Sequence, residues 1–269
     1  MLAPETSHRR PYFAHRSSGF QEDGRTVAEE VPVAMSYNGT THAVMMATPA
    51  DLEDFAIGFS LTEGIISKLS DIEDLKIEIF DKGIDVQMRL ADESNDALFA
   101  RRRFMAGPVG CGLCGIDSID QALRVLPALF GNSRRFEPEA IIEAMVALNG
   151  GQKLNAETHA VHGAGFYIPG EGLFAVREDV GRHNALDKLI GAMMRENKPV
   201  AQGLVAITSR VSVEMVQKAG ILGVPVLAAI SAPTALAIRT ADEVNLTLVA
   251  LVRGNDFDVY THPERIIRE

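Results

Sequence analysis

Cys111 and Cys114 are the only two cysteines in the chain, and two residues separate them. Both lie in the run 107–115, which contains four glycines and one proline. These residue types favour loops, so both thiols are predicted to be reachable. Ser118-Ile119-Asp120-Gln121 has the spacing of a capping box that opens a helix, and the dipole of that helix would lower the pKa of Cys114. The pair is therefore predicted to do sulfur or redox chemistry.

Several kinds of chemistry remain open for this pair. The glycine context argues against a buried structural pair, whereas a dithiol–disulfide switch and a persulfide-forming sulfur carrier both fit it. With His159 and His162 the cysteines would form a Cys₂His₂ zinc set, but 44 residues separate Cys114 from His159 and the His-x-x-His spacing is short. His159 is otherwise a general base, a polar ligand contact or an ordinary loop histidine.

A second group of polar residues follows three apolar runs in the C-terminal half, at 204–207, 224–230 and 246–252. Because short helical patterns separate the runs, they are predicted to be parallel strands covered on both faces. Ligands bind beyond the carboxyl ends of such strands. Those ends carry hydroxyl and arginine side chains, namely Ser209, Arg210, Ser231 and Arg253. They predict an anion or nucleotide site, with helix capping and surface charge as the alternative.

The segment 178–188 is also unusually polar for a strand-to-helix junction. Arg182 and His183 would be unfavourable near a helix N-terminus unless they faced an anion, so they are candidate ligand contacts. The alternative is structural: Asp179 or Asn184 caps the helix, and Asp187 and Lys188 are solvated.

The elements that position these residues divide the chain into three predicted parts. Residues 1–24 are predicted to be a mobile polar leader. Residues 25–116 form a smaller α+β part that contains two hairpins and a helix and ends in the cysteine loop. Residues 117–269 form an α/β domain. The predicted fold class is thus α/β.

Bulk properties limit the class of protein. The formal net charge is −10 and the pI is near 5.2, which argues against bulk binding to nucleic acid or to an anionic membrane. The sequence shows neither an export signal nor an apolar run of the roughly 18 residues that a membrane span needs. The predicted location is the cytoplasm, where two free thiols stay reduced.

Several motifs together resemble the FdhD family, the formate dehydrogenase accessory sulfurtransferases. They run in one order from about Val31 to the C-terminus. These motifs are Thr62 to Ile66, Gly110 to Gly115 with Ser118-Ile119, Asp179 to Lys188, Ser209-Arg210 with Glu214 to Ala219, and Val259 to His262.

The resemblance implies a sulfur carrier between a cysteine desulfurase and bis-molybdopterin guanine dinucleotide, the molybdenum cofactor of formate dehydrogenase. It places the persulfide on Cys111, with Cys114 as an assisting or resolving thiol, and implies no resident metal. It aligns the cofactor-binding stretch with Leu251, Val252, Arg253, Gly254, Asn255 and Asp256. It also implies a homodimer and a C-terminal three-layer fold similar to that of the cytidine deaminases. The alternative function is a non-catalytic cofactor chaperone whose cysteines hold a disulfide or a metal.

Overall fold

The computed structural model describes residues 4–91, 129 and 134–268 of the chain. Cys111 and Cys114 lie outside the described residues, as do the loop and the capping box expected around them. What the sequence predicts for that segment therefore stays a prediction.

The first described elements are two strands, β1 (Ser7–Arg16) and β2 (Gly19–Ala28), which pair with each other in an antiparallel ribbon. This corrects the expectation of a leader without regular structure over 1–24. That expectation rested on polarity alone. Tyr12, Phe13 and Phe20 favour strands, and Gly19, at φ +104°, supplies the turn that joins them.

Four strands form an N-terminal sheet in the order β4-β3-β6-β5. They are β3 (Val31–Tyr37), β4 (Thr40–Ala47), β5 (Ile72–Phe80) and β6 (Gly83–Leu90). The β3–β4 and β5–β6 hairpins are antiparallel, and β3 runs parallel to β6. Asn38 and Gly39 both have positive φ at the first turn, as the Asn-Gly signal predicts. Both predicted hairpins are confirmed.

Helix α1 (Leu52–Thr62) covers one face of this sheet. Phe55 and Phe59 of the helix pack into the same core as Met35, Tyr37 and Val86 of the strands. These five side chains are at most 6% exposed, so the sheet and α1 form a core of their own.

Six strands form the C-terminal sheet, in the order β12-β11-β10-β9-β7-β8. They are β7 (His162–Ile168), β8 (Gly172–Asp179), β9 (Leu204–Ile207), β10 (Val226–Ala229), β11 (Thr247–Arg253) and β12 (Asp256–Val259). The three strands β9, β10 and β11 are parallel, as predicted, and β7, β8 and β12 are antiparallel to their neighbours.

Helices cover both faces of this sheet. They are α2 (Pro138–Gly151), α3 (Lys153–Thr158), α4 (Arg182–Glu196), α5 (Val213–Leu222) and α6 (Ala235–Glu243). Apolar residues of α4, α5 and α6 share one core with one face of the strands, and those of α2 share another core with the opposite face. The α/β class and the three layers agree with the prediction, whereas the likeness to cytidine deaminases and the domain boundaries stay predictions.

The two sheets are joined where α1 crosses α4. A Cβ atom on Gly58 would lie 1.8 Å from the carbonyl oxygen of Asp187, and one on Gly191 would lie 1.9 Å from that of Asp54. Only glycine allows backbones to approach so closely. Asp54, which is 3% exposed, accepts hydrogen bonds from Arg177 on β8 and from Arg195 on α4. The N-terminal sheet is thus fixed against the helix that begins at the predicted site.

Candidate functional site

The site is built at one edge of the C-terminal sheet, where the parallel strands β9, β10 and β11 end. The segments beyond β9 and β10 stay together, since Val211 and Pro233 form a β-bridge and the Val211 amide donates to the Ala232 carbonyl at 3.2 Å. Because β7 is antiparallel to β9, its first residue, His162, lies at the same edge, opposite Asp179 at the end of β8. This edge is the place that the sequence predicts for a ligand.

Two helices begin at this edge, and their first turns carry polar atoms that are buried and lack partners. Within the described residues, Arg182 Nε, His183 Nε2, Ser212 Oγ and Glu214 Oε2 have no hydrogen-bond partner. A buried polar atom without a partner costs roughly 1–3 kcal/mol, and such atoms are rare in native proteins. Four of them at the starts of α4 and α5 make this edge the candidate binding site for a polar ligand.

The charges around these atoms keep two histidines neutral. Burial lowers the pKa of His183 to about 4, with further lowering by Lys218 and Arg182, against an opposite effect of Glu214. Burial also lowers the pKa of His162, again helped by Arg182. At neutral pH the positive charge of the site therefore comes from Arg182 and Lys218, while both imidazoles are neutral hydrogen-bonding groups.

Other polar residues of the segment 178–188 have a structural role. Asp179 is fully buried, and its carboxylate accepts from the amides of Thr48 at 3.0 Å and Gly181 at 2.7 Å and from the Asn184 side chain at 2.9 Å. Lys188 Nζ, also fully buried, lies 2.7 Å from the same carboxylate. This cluster holds the loop after β4 against the start of α4 and so positions Arg182 and His183.

A second buried ion pair involves Asp187, the residue next to Lys188 in α4. Asp187 accepts two hydrogen bonds from Lys218 Nζ, at 2.7 and 2.8 Å, and one from the Thr62 hydroxyl at 2.7 Å. Asp187 is 1% exposed and Lys218 is 8% exposed. The expectation that Asp187 and Lys188 are solvated is therefore wrong. This part of α4 packs against α1 and α5. Asp187 has its partner Lys218 on α5, and Lys188 has its partner Asp179 at the end of β8.

The stretch 251–256, which the resemblance marks for cofactor binding, forms the end of β11, a turn and the start of β12. Leu251 has φ +54° beside a register shift between β11 and β12, an uncommon conformation for a branched side chain. Val252 is buried, whereas Arg253, Gly254, Asn255 and Asp256 are exposed. Three strand spacings, roughly 14 Å, separate β11 from β7, so this turn lies further along the same edge.

Three other predicted residues have different positions. Ser209 is 3% exposed and its hydroxyl donates to the Arg210 carbonyl at 3.1 Å, which makes Ser209 part of the turn after β9, while the Arg210 side chain is exposed. His159 is exposed at the end of α3, with φ +53°.

Sequence reasoning missed His162, Ser212, Glu214 and Lys218 as site residues. Ser212 and Glu214 directly follow the strand end that carries Arg210, and that position is the signal that points to them. Their buried atoms become visible only when α5 is placed beside α4.

The zinc alternative stays untested. In the part of the chain that the structure describes, no three His, Asp or Glu side chains are grouped so that they could hold a metal ion. Both cysteines of the hypothetical zinc set lie outside that part. As for membranes, none of the described helices has both the length and the apolar character needed to cross one.

Comparison with known proteins identifies the family. A relative from Brucella abortus named "Sulfur carrier protein FdhD" is 69% identical over 256 residues, which cover 95% of each chain. A relative of the same name from Agrobacterium fabrum is 60% identical over 268 residues, covering 99% of each chain.

A solved structure, described as a formate dehydrogenase accessory protein from Desulfotalea psychrophila, aligns with a TM-score of 0.77 at 26% identity, covering 98% of this chain and 100% of that one. The sequence model of the FdhD/NarQ family matches residues 28–267. The chain therefore belongs to the FdhD/NarQ family.

Proposed function

We propose that this protein is a sulfur carrier for the molybdenum cofactor of formate dehydrogenase. It takes sulfane sulfur from a cysteine desulfurase as a persulfide on Cys111 and transfers it to bis-molybdopterin guanine dinucleotide, which it binds as cargo. The names of its relatives support the carrier role, and the name of the structural neighbour supports formate dehydrogenase as the client.

One observation carries the proposal: the only two cysteines stand two apart in a glycine-rich run of a chain that is 69% identical to a protein named as a sulfur carrier. The Cys111 thiolate attacks the outer sulfur of the desulfurase persulfide, an S–S bond breaks, and the desulfurase cysteine leaves as a thiolate. Cys111 then holds the transferred sulfur. A reducing thiol removes it as sulfide, which makes the loading measurable.

Cys114 provides a route for release. Its thiolate attacks the inner sulfur of the Cys111 persulfide and displaces hydrosulfide toward the bound cargo, leaving a Cys111–Cys114 disulfide. A dithiol reductant returns the pair to its starting state. The electrons balance, because the sulfurs of Cys111 and Cys114 are oxidised to a disulfide as the transferred sulfur is reduced to hydrosulfide.

The sheet edge is the proposed binding site of the cargo. Its dinucleotide ends are anionic, and Arg182, Arg210 and Arg253 are the cations proposed to contact their phosphates. The buried atoms without partners at Arg182, His183, Ser212 and Glu214 support this assignment, since a polar ligand would satisfy them. The run of roughly 14 Å from β7 to β11 is long enough for a ligand of nucleotide size. A homodimer and a cytoplasmic location belong to the same proposal.

The test is intact-mass spectrometry after incubation with a cysteine desulfurase and cysteine. The wild type is expected to gain the mass of one sulfur atom, and a reducing thiol should remove it. Cys111→Ala should show no gain. Cys114→Ala is the matched control, and it should load sulfur but release it more slowly than the wild type.

The second candidate function is a cofactor chaperone that transfers no sulfur, and the polar edge favours it because its described polar groups could bind the cargo without either cysteine. A wild-type protein that gains no sulfur yet binds guanosine diphosphate would replace the carrier with this chaperone. Activation of formate dehydrogenase by Cys111→Ala would lead to the same conclusion.

A further inference from the structure

The ribbon of β1 and β2 extends from the molecule as a long arm. Each strand has ten residues, roughly 34 Å of extended chain, and β1 and β2 form a sheet of their own. The base is fixed, since the Glu29 amide donates to the Thr6 carbonyl at 2.8 Å and Arg25 donates to the Thr158 carbonyl at 3.1 Å. A two-stranded ribbon is marginally stable in water without a packed face. The outer part of the arm is therefore expected to pack against another surface.

The outer part of the arm is aromatic. Phe13 is 69% exposed, Phe20 is 75% exposed and Tyr12 is 36% exposed. Phe13 and Phe20 lie within four residues of the turn, on opposite strands. Large aromatic side chains left in water at one end of a projecting element are typical of a protein contact.

The arm also differs from the rest of the molecule in charge. The two strands carry Arg9, Arg10, Arg16 and Arg25 against Glu22 and Asp23, a net charge of +2, whereas the whole chain has a net charge of −10. An arm with this charge is attracted to the surface of another copy of this chain.

A complementary surface is present on the chain itself, at an edge of the N-terminal sheet that no other described strand pairs with. β5 is the last strand of that sheet, and Ile77 and Phe80, which lie on its opposite faces, are 41% and 54% exposed. The segment 72–82 contains Glu73, Asp74, Glu78 and Asp81 against Lys76 and Lys82, and its net charge is −2. An exposed edge strand with apolar side chains is a site for pairing with another chain unless something covers it.

We propose that the arm of one copy lies on the β5 edge of a second copy, reciprocally, so that Phe13 and Phe20 cover Phe80. Because the arm and its seat are on one chain, a two-fold dimer buries both twice. The inference rests on the homodimer included in the proposed function and adds its contact surface.

The first test measures self-association by sedimentation velocity over a range of concentrations. The wild type is expected to be a dimer. The double substitution Phe13→Ser with Phe20→Ser should raise the dissociation constant at least 100-fold, while Val146→Ser, which alters an equally exposed residue on α2, should leave it unchanged. A monomeric wild type, or a dimer that the double substitution does not weaken, overturns the proposal.

Charge reversal gives a second test that does not depend on the aromatic residues. Arg10→Glu with Arg16→Glu should weaken the dimer at least tenfold, as should Glu78→Lys with Asp81→Lys. The protein that carries all four changes should regain at least tenfold in affinity. Failure of that rescue would exclude β5 as the surface that binds the arm of the other copy.

Sulfur loading separates this inference from the function it builds on. The Phe13→Ser, Phe20→Ser variant should still gain sulfur on Cys111 from the desulfurase. If the variant is monomeric and loads sulfur, both proposals stand. If the wild type is a dimer and gains no sulfur, only the carrier function fails.

Discussion

The first two turns of α4 contain similar residue types, but the buried groups of the two turns differ in their partners. In the second turn, Asp187 and Lys188 are buried, and each has a partner of opposite charge. In the first turn, Arg182 and His183 each retain a buried atom with no partner among the described residues. A buried charge with a complete set of partners serves the fold, whereas a buried polar atom without one is available to a ligand.

This difference explains why one short polar segment can be both structural and functional. The second turn fixes α4 to Thr62 of α1, to Lys218 of α5 and to Thr48 in the loop before α1. These contacts hold the first turn of α4, with its polar atoms, at the sheet edge. The packing of the second turn offsets the energetic cost of the buried polar atoms in the first.

The largest expected effect is the loss of stability when Lys188 is replaced. Lys188→Met leaves the Asp179 carboxylate buried without its counter-ion, so the free energy of unfolding should fall by about 3–5 kcal/mol. Urea denaturation at neutral pH measures it. Lys153→Met, at an exposed lysine on α3, is the control and should change stability by less than about 0.5 kcal/mol. A loss below about 1 kcal/mol for Lys188→Met would show that the buried ion pair between Asp179 and Lys188 does not stabilise the position of α4.

A smaller effect is expected from the titration of His183. Its pKa is about 4 when folded and near the ordinary 6.5 when unfolded, so the unfolded chain binds the extra proton first. The stability from this group is complete above pH 6.5 and is lost as the pH falls toward 4. Between pH 7.5 and pH 5 the loss is about 2 kcal/mol.

Urea denaturation at the two pH values, on the wild type and on His183→Gln, tests this expectation. The variant should lose about 2 kcal/mol less than the wild type over that interval, because glutamine does not titrate. Equal losses in the two proteins would mean that His183 is protonated as readily in the folded state as in the unfolded one.

The smallest effect on stability is expected at Arg182. Removing a buried donor that has no partner should change the free energy of unfolding by less than about 1 kcal/mol, so Arg182→Gln should be nearly as stable as the wild type. Its affinity for guanosine diphosphate, an end of the proposed cargo, should fall about tenfold, since a charge-assisted hydrogen bond is worth roughly 1.5–3 kcal/mol. Calorimetric titration checks this, with Arg239→Gln, an exposed arginine on α6, as the control.

Much of the fold followed from local signals. Asn38-Gly39 predicted the first hairpin, Pro138 predicted the start of α2, and continuous apolar runs predicted the parallel strands β9, β10 and β11. Each of these signals is decided within a few residues, so neighbours in space are not needed to interpret it. The ribbon was missed because its strands alternate weakly and contain many charges, which masked the strand preference of its aromatic residues.

The candidate site followed from the sequence in part. The parallel strands predicted Arg210 and Arg253 at one edge, and the structure has them there. Arg182 and His183 were predicted as ligand contacts from their position near a helix N-terminus, and the structure places that helix start at the same edge. It does not follow from sequence which of their atoms lack partners, since that depends on side chains from other elements. His162, Ser212 and Glu214 join Arg182 and His183 only through the register of β7 with β8 and the position of α5.

By itself, the sequence determined the spacing of the two cysteines, most of the order of the elements and the sheet edge that is predicted to bind a ligand, because spacing, glycine content and apolar periodicity are properties of the chain alone. Only the tertiary structure decided that Asp187 and Lys188 are buried, that His162 and not His159 lies near Arg182, and that the first residues form an arm. Burial and hydrogen-bond partners arise between segments distant in the chain, so no local pattern contains them.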